Sequence, residues 1–389
     1  MKHTRIALVG CGYVADLYVG TMRAHPELEI TGVMDCDAER SARFAAYYGL
    51  PTYSSLDDVL KDPSTSIVAN LTNPRNHYEI SRRCLEAGKN VYSEKPLSVR
   101  LSDAEHLVEL AKRNGLHIAS APCGALSETA QTMWKALRQN EIGKVLMVRA
   151  ELDDGFIAAT RYRQWKSRSG TPWPWKDELT VGCTLEHAGY YLTWLAVFFG
   201  RAESVTAFSF CSMREKWLAD GVEDPAPDHS VACVRYESGV VARLTCSIVA
   251  PLDRTLTIIG QDGILRTDDC WDYRSPIYIQ RRDFFGRVAN KYPLVSRLPM
   301  VGEHRYPLLK GNGANSYRKT HKMDFARGVA ELAEAIAGRR ECRLSAQFCL
   351  HVNELVLAIH NAGGDGSTYR VRSSFEPMKP MSWSGVSDK

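Results

Sequence analysis

The sequence predicts an α/β chain in two parts: an N-terminal doubly wound parallel sheet, then an α+β domain on an open, mainly antiparallel sheet. Three observations predict it. Through about residue 120, short apolar runs alternate with helical patterns. A glycine-rich turn stands directly after the first run. Beyond about residue 123, apolar runs follow one another with only tight turns between several of them.

The early runs are "RIALVG", "EITGVMD", "SIVANLT", "NVYSEKP" and "HIASAPC". They are nearly continuous in apolar residues, as strands covered on both faces must be. Segments such as "DAERSARFAAYYG" and "RNHYEISRRCLEAGK" lie between them, and this alternation implies right-handed crossovers and a parallel sheet. Ser102 and Glu105 have capping-box spacing, and Gly115 suits the end of that helix. The expected first domain is residues 1–122.

The second domain is expected over residues 123–370, with 371–389 a loose tail. A helix "SETAQTMWKALRQ" leads to a strand "KVLMVRAEL" and a loop rich in Trp, Arg and Pro. A helix "CTLEHAGYYLTWLAVFFG" follows. The strands "SVTAFSF", "SVACVRY", "VVARLTCSI" and "RTLTIIG" come next, and the turns "ESG" and "QDG" mark a meander. Helical stretches are expected from about Met323 to Ala337 and from about Ala346 to Asn361.

Composition narrows the function classes. A chain of 389 residues is too long for one ordinary core. The net charge of +4 is mild, and no nucleic-acid reading motif is present. No apolar run approaches the roughly 20 residues of a membrane span, and the start lacks a signal-peptide layout. The eleven cysteines are scattered and nowhere spaced C-x-x-C, which predicts reduced thiols in a cytoplasmic protein without a zinc site.

"VGCGYVA" sets Gly10 and Gly12 after the first strand, with Ala15 at the third small position. Such a turn brings backbone close to a pyrophosphate, which the helix N-terminus then binds through its amides. Asp35, after the second strand, suits a ribose 2′-hydroxyl and predicts NAD over NADP; Arg40 softens that preference. Asp35 also suits an N-cap for the helix that follows. Thr72, Asn73 and Glu94 fall at strand ends, where ligands of such sheets lie. Tyr13, Val14, His77, Lys95 and Pro122 complete the candidate cofactor set.

The combination of G-x-G-x-x-A, the acid after the second strand, and "TNPRNHYEISRRCLEAGKNVYSEKPL" resembles the family of glucose-fructose oxidoreductase, inositol dehydrogenase and MocA proteins. The resemblance implies a Rossmann domain, a sheet domain that joins subunits into a homodimer or homotetramer, and hydride exchange between nicotinamide and a sugar, sugar derivative or cyclitol. It puts Lys95 beside the nicotinamide, bonded to the reacting hydroxyl. Partial burial near a cationic nicotinamide predicts a lowered pKa for Lys95.

In "EHAGYYLTW" the resemblance aligns Glu186 with the family's aspartate and Tyr190 with its His/Tyr position. The i, i+4 spacing shares one helical face. Tyr190 is the first candidate for the general acid-base group and His187 the second, while Glu186 orients the substrate. The same aromatic residues also suit a buried apolar helix face. Thr193 stands where relatives carry a second acid, and Cys123 where they often carry an arginine.

Two stretches stay open at this level. The Trp- and Arg-rich loop before Glu186 suits either a substrate loop or a packed connector. The basic run from Arg274 to Arg327 suits either an anionic substrate, such as a phosphorylated, uronic or nucleotide-linked sugar, or a solvated insertion or subunit contact. Two rival functions differ in kind: an enzyme that recycles tightly bound NAD through transient sugar oxidation, and a nicotinamide-binding sensor without turnover.

Overall fold

The computed structural model describes residues 3–282, 291–292, 302–311, 317–319 and 321–385. The first sheet consists of β1 (Thr4–Val9), β2 (Leu28–Met34), β3 (Ile67–Asn70), β4 (Asn90–Ser93) and β5 (Ile118–Ser120). Its order is β2-β1-β3-β4-β5 and every pairing is parallel. All four β3 residues are buried, which is why that run has no polar alternation. The intervening helices are α1 (Tyr13–Met22), α2 (Ala38–Tyr48), α3 (Leu56–Lys61), α4 (His77–Glu86) and α5 (Leu101–Arg113). The chain leaves β1 toward β2 on one side and returns to β3 on the other, so a crevice opens at their carboxyl ends.

The expected capping box on α5 does not form. Its N-cap is Arg100, which makes no side-chain cap bond and instead pairs with Asp103 at 2.8 Å. Ser102 already lies inside the first turn. Gly115 follows the helix with φ +63°, as an αL stop requires.

The second sheet is mixed. Its elements are α6 (Glu128–Arg138), β6 (Val145–Asp153), α7 (Trp175–Val181), α8 (Cys183–His187), α9 (Gly189–Phe199), β7 (Ala202–Phe210), α10 (Arg214–Ala219), β8 (His229–Tyr236), β9 (Val241–Ser247), β10 (Leu256–Gly260), β11 (Gly263–Thr267), β12 (Ile277–Arg281), β13 (His304–Tyr306) and β14 (Thr368–Arg370). Among the described residues the order is β13-β12-β11-β10-β6-β9-β8-β7-β14. The "ESG" and "QDG" turns close the antiparallel pairs β8–β9 and β10–β11. The meander is interrupted, because β6 lies between β9 and β10 and runs parallel to β9. The single helix expected over 183–200 is broken at Ala188, where Gly189 begins the second piece close against Pro122.

The last two helices, Arg327–Ile336 and Ala346–His360, return to the first sheet. Gly328 sits so close to the Tyr92 hydroxyl that a side chain there has no room. Ser120 N donates to Cys349 Sγ at 3.2 Å. Residues 371–385 are anchored, contrary to the loose tail expected. Val371 N donates to Glu203 O at 3.0 Å and Met381 N to Gln131 Oε1 at 2.9 Å. Residues 386–389 lie outside the described residues.

Candidate active site

The crevice opens into a cavity of about 390 Å³ that runs from the glycine turn to Trp271. At one end Gly10 has φ +102°, and a Cβ there meets Leu71 O at 2.6 Å. Only glycine satisfies both conditions. Gly12 is the N-cap of α1 and offers no side-chain cap, and a Cβ on it meets no protein atom within 4 Å. The first turn of α1 therefore faces open space with its amides available, and Gly12, Tyr13 and Val14 line the cavity. These features fit a dinucleotide pyrophosphate.

Asp35 holds this turn in shape. Its carboxylate accepts Cys11 N at 2.8 Å and Asp37 N at 2.9 Å. Arg40 Nε stands 3.3 Å from the same carboxylate, and Arg40 lines the cavity. The N-cap of α2 is Asp37, which accepts Arg40 N at 3.0 Å, so the capping role suggested for Asp35 belongs two residues on.

The strand ends supply the rest of this wall. Thr72, Asn73 and Glu94 line the cavity. Glu94 accepts Tyr18 Oη at 2.7 Å and Lys95 N at 3.0 Å, which orients its carboxylate. Asn73 Nδ2 donates to Asp177 Oδ2 at 2.6 Å and links this wall to α7. Two expected cofactor contacts fall elsewhere. His77 is wholly buried, with its ring nitrogens 2.6 Å from Pro96 O and 2.9 Å from Thr72 O; it ties two loops together behind the wall. Pro122 lines a separate small apolar cavity behind Lys95, with Leu185 and Phe348.

At the other end Lys95 follows β4, and its peptide bond to Pro96 is cis. Its Nζ forms an ion pair with Glu186 Oε2, and both side chains are largely buried. Burial pulls the Lys95 pKa down, but Glu186, with Tyr190, Glu178 and Glu94, raises it above its ordinary value. This corrects the lowered value expected from sequence, which left out the surrounding carboxylates. Tyr190 is pushed above its usual range by burial, which outweighs the opposing effect of Lys95. Tyr190 and His187 each pack edge-on against Trp271, with ring centroids 5.3 Å away. His187 is pushed down to about 3 by burial and by Lys95 and Arg254, and its buried Nδ1 makes no bond. It is a neutral imidazole and a poor base near neutral pH.

Sequence reasoning passed over several residues here. Glu178 on α7 lines the same cavity as Glu186; burial, then the charge of Glu186, pushes its carboxyl well up. Gly182, at φ +98°, separates α7 from α8, so no helical spacing signalled that Glu178 and Glu186 share the cavity. Arg254 lies 4.0 Å over the Trp271 ring and bonds Asp154 at 2.7 Å. Thr193, in place of an acid, donates to Tyr190 O at 2.9 Å.

The Trp- and Arg-rich loop closes the cavity. Trp165, Thr171 and Trp173 line it, opposite the glycine turn. Ser169 latches the loop to α1: its N and Oγ donate to the Asp16 carboxylate at 2.9 and 2.8 Å. Cys123 is buried against Tyr273, 3.3 Å from its hydroxyl, and does not line the cavity. Among the described basic residues of the 274–327 run, Arg281 pairs with Glu141 at 2.5 Å, Arg318 with Asp272 at 2.5 Å and Arg327 with Glu128 at 3.0 Å. Arg287 and Arg297 of that run lie outside the described residues. No helix among the described residues is long and apolar enough to cross a membrane, and those residues hold no cluster suited to a metal.

Comparison with known proteins agrees with this architecture. Residues 4–121 match the oxidoreductase family with an NAD-binding Rossmann fold, and residues 130–266 match the GFO/IDH/MocA C-terminal domain. Trans-1,2-dihydrobenzene-1,2-diol dehydrogenase of Bos taurus is 26% identical over 273 residues, 69% of this chain and 75% of that protein. The Sus scrofa protein of the same name is 24% identical over the same shares. A putative NADPH-dependent oxidoreductase from Desulfitobacterium hafniense superposes with TM-score 0.75 at 16% identity, covering 95% of this chain and 98% of that one. The Bordetella pertussis WlbA dehydrogenase, solved with NADH and UDP-GlcNAcA, superposes at 0.68 with 19% identity, covering 95% and 99%. At these identities the structural likeness concerns the fold. The family matches, lying on the glycine turn and on the sheet that carries the reacting end, show that the chain belongs to the GFO/IDH/MocA family of NAD(P)-binding oxidoreductases.

Proposed function

We propose that the protein is an NAD-dependent dehydrogenase of a neutral polyol, a sugar or cyclitol, oxidised at a ring hydroxyl. The observation that carries this reading is the convergence of Lys95, Glu186 and Tyr190 in the same cavity as the glycine turn. Bound nicotinamide supplies the hydride acceptor, or the donor in reverse. Lys95 and Tyr190 relay the hydroxyl proton. In carbonyl reduction the ammonium of Lys95 gives its proton to the substrate oxygen and is left a neutral amine. Oxidation runs this backward, the neutral amine taking the hydroxyl proton, while the Tyr190 phenol, kept protonated by burial, hydrogen-bonds the same oxygen. Glu186 fixes Lys95 and accepts from a neighbouring hydroxyl. Trp271 offers an aromatic face to the ring, with Arg254 holding it from behind.

Charge argues for a neutral substrate. Asp154, Asp177, Glu178 and Glu186 line the reacting end, where Lys95 pairs with Glu186 and Arg254 with Asp154. A uronate or phosphorylated sugar meets net repulsion there. The diol dehydrogenase relatives are named for an uncharged vicinal diol, in keeping with this. Asp35 supports NAD because a carboxylate beside the turn disfavours a 2′-phosphate; its partners in the structure are the Cys11 and Asp37 amides and Arg40.

The test is nicotinamide absorbance with purified protein, NAD or NADP, and a panel of aldoses, cyclitols and uronates. Turnover is expected with NAD and a neutral polyol. Lys95→Ala should lower kcat by about 10³-fold. A uronate turned over faster than every neutral polyol sinks the charge argument, and an unimpaired Lys95→Ala sinks the relay.

A further inference from the structure

The loop between β6 and α7 belongs to the second domain, yet it reaches across the crevice of the first. Ser169 is tied to Asp16 on α1, and Asp177 to Asn73 just beyond β3. The residues between these two anchors therefore bridge the strand ends beside the glycine turn. Trp173 stands in the middle of that span. Pro172 and Pro174 restrict the backbone on either side of it, and Trp173 N donates to Trp165 O at 2.9 Å. Its ring packs against Trp165, with centroids 5.0 Å apart, and edge-on against Tyr162 at 6.1 Å. The indole is half-buried and lines the main cavity. It also lines an adjoining cavity of about 370 Å³ bordered by Asp37, Arg40 and Arg43, and so stands at the α2 end.

The strand order decides which half of a dinucleotide comes there. β1 leads into the pyrophosphate turn, with β2 on one side of it and β3 and β4 on the other. Lys95 follows β4, so the nicotinamide half belongs to that side, and the adenosine half belongs to the β2 side, by Asp35 and Arg40. Adenine is a flat ring with two apolar faces, and proteins hold such a ring with aromatic or guanidinium faces. The first domain brings Arg40 and Pro74 to this end of the cavity. We propose that the indole of Trp173 is the stacking face for the adenine of the bound dinucleotide, so that the second domain grips the cofactor as well as the substrate. The two anchors then have a purpose. A stacking ring on a free loop must be ordered at the moment of binding, whereas the bonds to Asp16 and Asn73 hold this one in place beforehand. The proposal rests on dinucleotide binding and is independent of which polyol is oxidised.

The test compares ligands that differ in adenine, on the full chain and without substrate. NAD and ADP-ribose carry the base; nicotinamide mononucleotide carries only the other half. In titration calorimetry Trp173→Ala should weaken NAD and ADP-ribose about 10- to 100-fold and leave nicotinamide mononucleotide unchanged. Trp173→Phe keeps a ring and should recover most of the affinity. The second readout is fluorescence. ADP-ribose, which has no nicotinamide, should quench the tryptophan emission of wild type, and Trp173→Phe should lose that quench. Unchanged affinity for ADP-ribose in Trp173→Ala overturns the stacking. So does an equal weakening of all three ligands, which marks a disturbed loop instead of a lost base contact. A quench that persists in Trp173→Phe overturns it as well. If wild type binds the adenine ligands as expected but oxidises no polyol, the dehydrogenase reading fails and the stacking stands.

Discussion

The glycine-turn end of the cavity comes from one contiguous stretch, β1 to α1, with Asp35 and Arg40 close behind; the reacting end gathers Lys95, Glu178, Glu186, Arg254 and Trp271 from separate parts of the chain. The first end works through backbone amides and bare Cα atoms. The second works through charged side chains set against one another. Backbone geometry is dictated locally, so a short motif specifies it. A charge network depends on which segments meet, and its pKa values follow from burial and neighbours.

Three substitutions break or sharpen this contrast. The largest effect belongs to Gly10→Ala, because the position combines φ +102° with a Cβ 2.6 Å from Leu71 O. A cost on the order of 3 kcal/mol is expected, read as lost stability in denaturant unfolding together with lost dinucleotide binding by calorimetry. A variant that binds dinucleotide normally would show that the close approach is not needed.

The second concerns how the two halves are joined. His25, just beyond α1, bonds Asp324 at 3.0 Å and Glu27 at 3.3 Å. Burial pulls its pKa down, but Asp324 and Glu27 win and raise it to about 9. A histidine raised above its unfolded value of roughly 6.5 stabilises fully below that value and loses the contribution as pH rises through the folded one. His25→Gln should cost on the order of 2 kcal/mol near pH 6 and little near pH 10, measured by urea unfolding at both. An equal cost at the two pH values refutes the charged pair.

The smallest effect sharpens the comparison at the boundary between the two ends. Ser169→Ala removes the 2.8 Å bond from Oγ to Asp16 and keeps the backbone bond. A loss of about 1 kcal/mol at the latch should speed dinucleotide release several-fold in stopped-flow tryptophan fluorescence. Release at the wild-type rate means that the loop does not govern escape.

Much of the first domain was legible because its signals are local. Continuous apolar runs and the turn at Gly10 identify strands and helix start within a few residues of each other. The errors also have local causes. The capping pattern at Ser102 competed with an N-cap two residues earlier at Arg100, and Asp37 outcompeted Asp35 for the start of α2. In the second domain the hairpins at "ESG" and "QDG" were readable from their turns. The insertion of β6 between β9 and β10 was not, because nothing in a strand's own residues names its distant neighbour.

The sequence by itself determined the doubly wound half, the glycine turn, the acid after the second strand, and Lys95 at a strand end, since each depends on contiguous residues and backbone sterics. Tertiary structure alone decided the rest of the site. It brought Glu178 near Glu186 across the break at Gly182, set Trp271 edge-on to Tyr190 and His187, withdrew His77 and Pro122 from the cavity, and raised Lys95 where sequence predicted a fall. The physical reason is common to all of these. Burial and Coulomb interactions act through space between groups far apart in the chain, and only the fold fixes those distances.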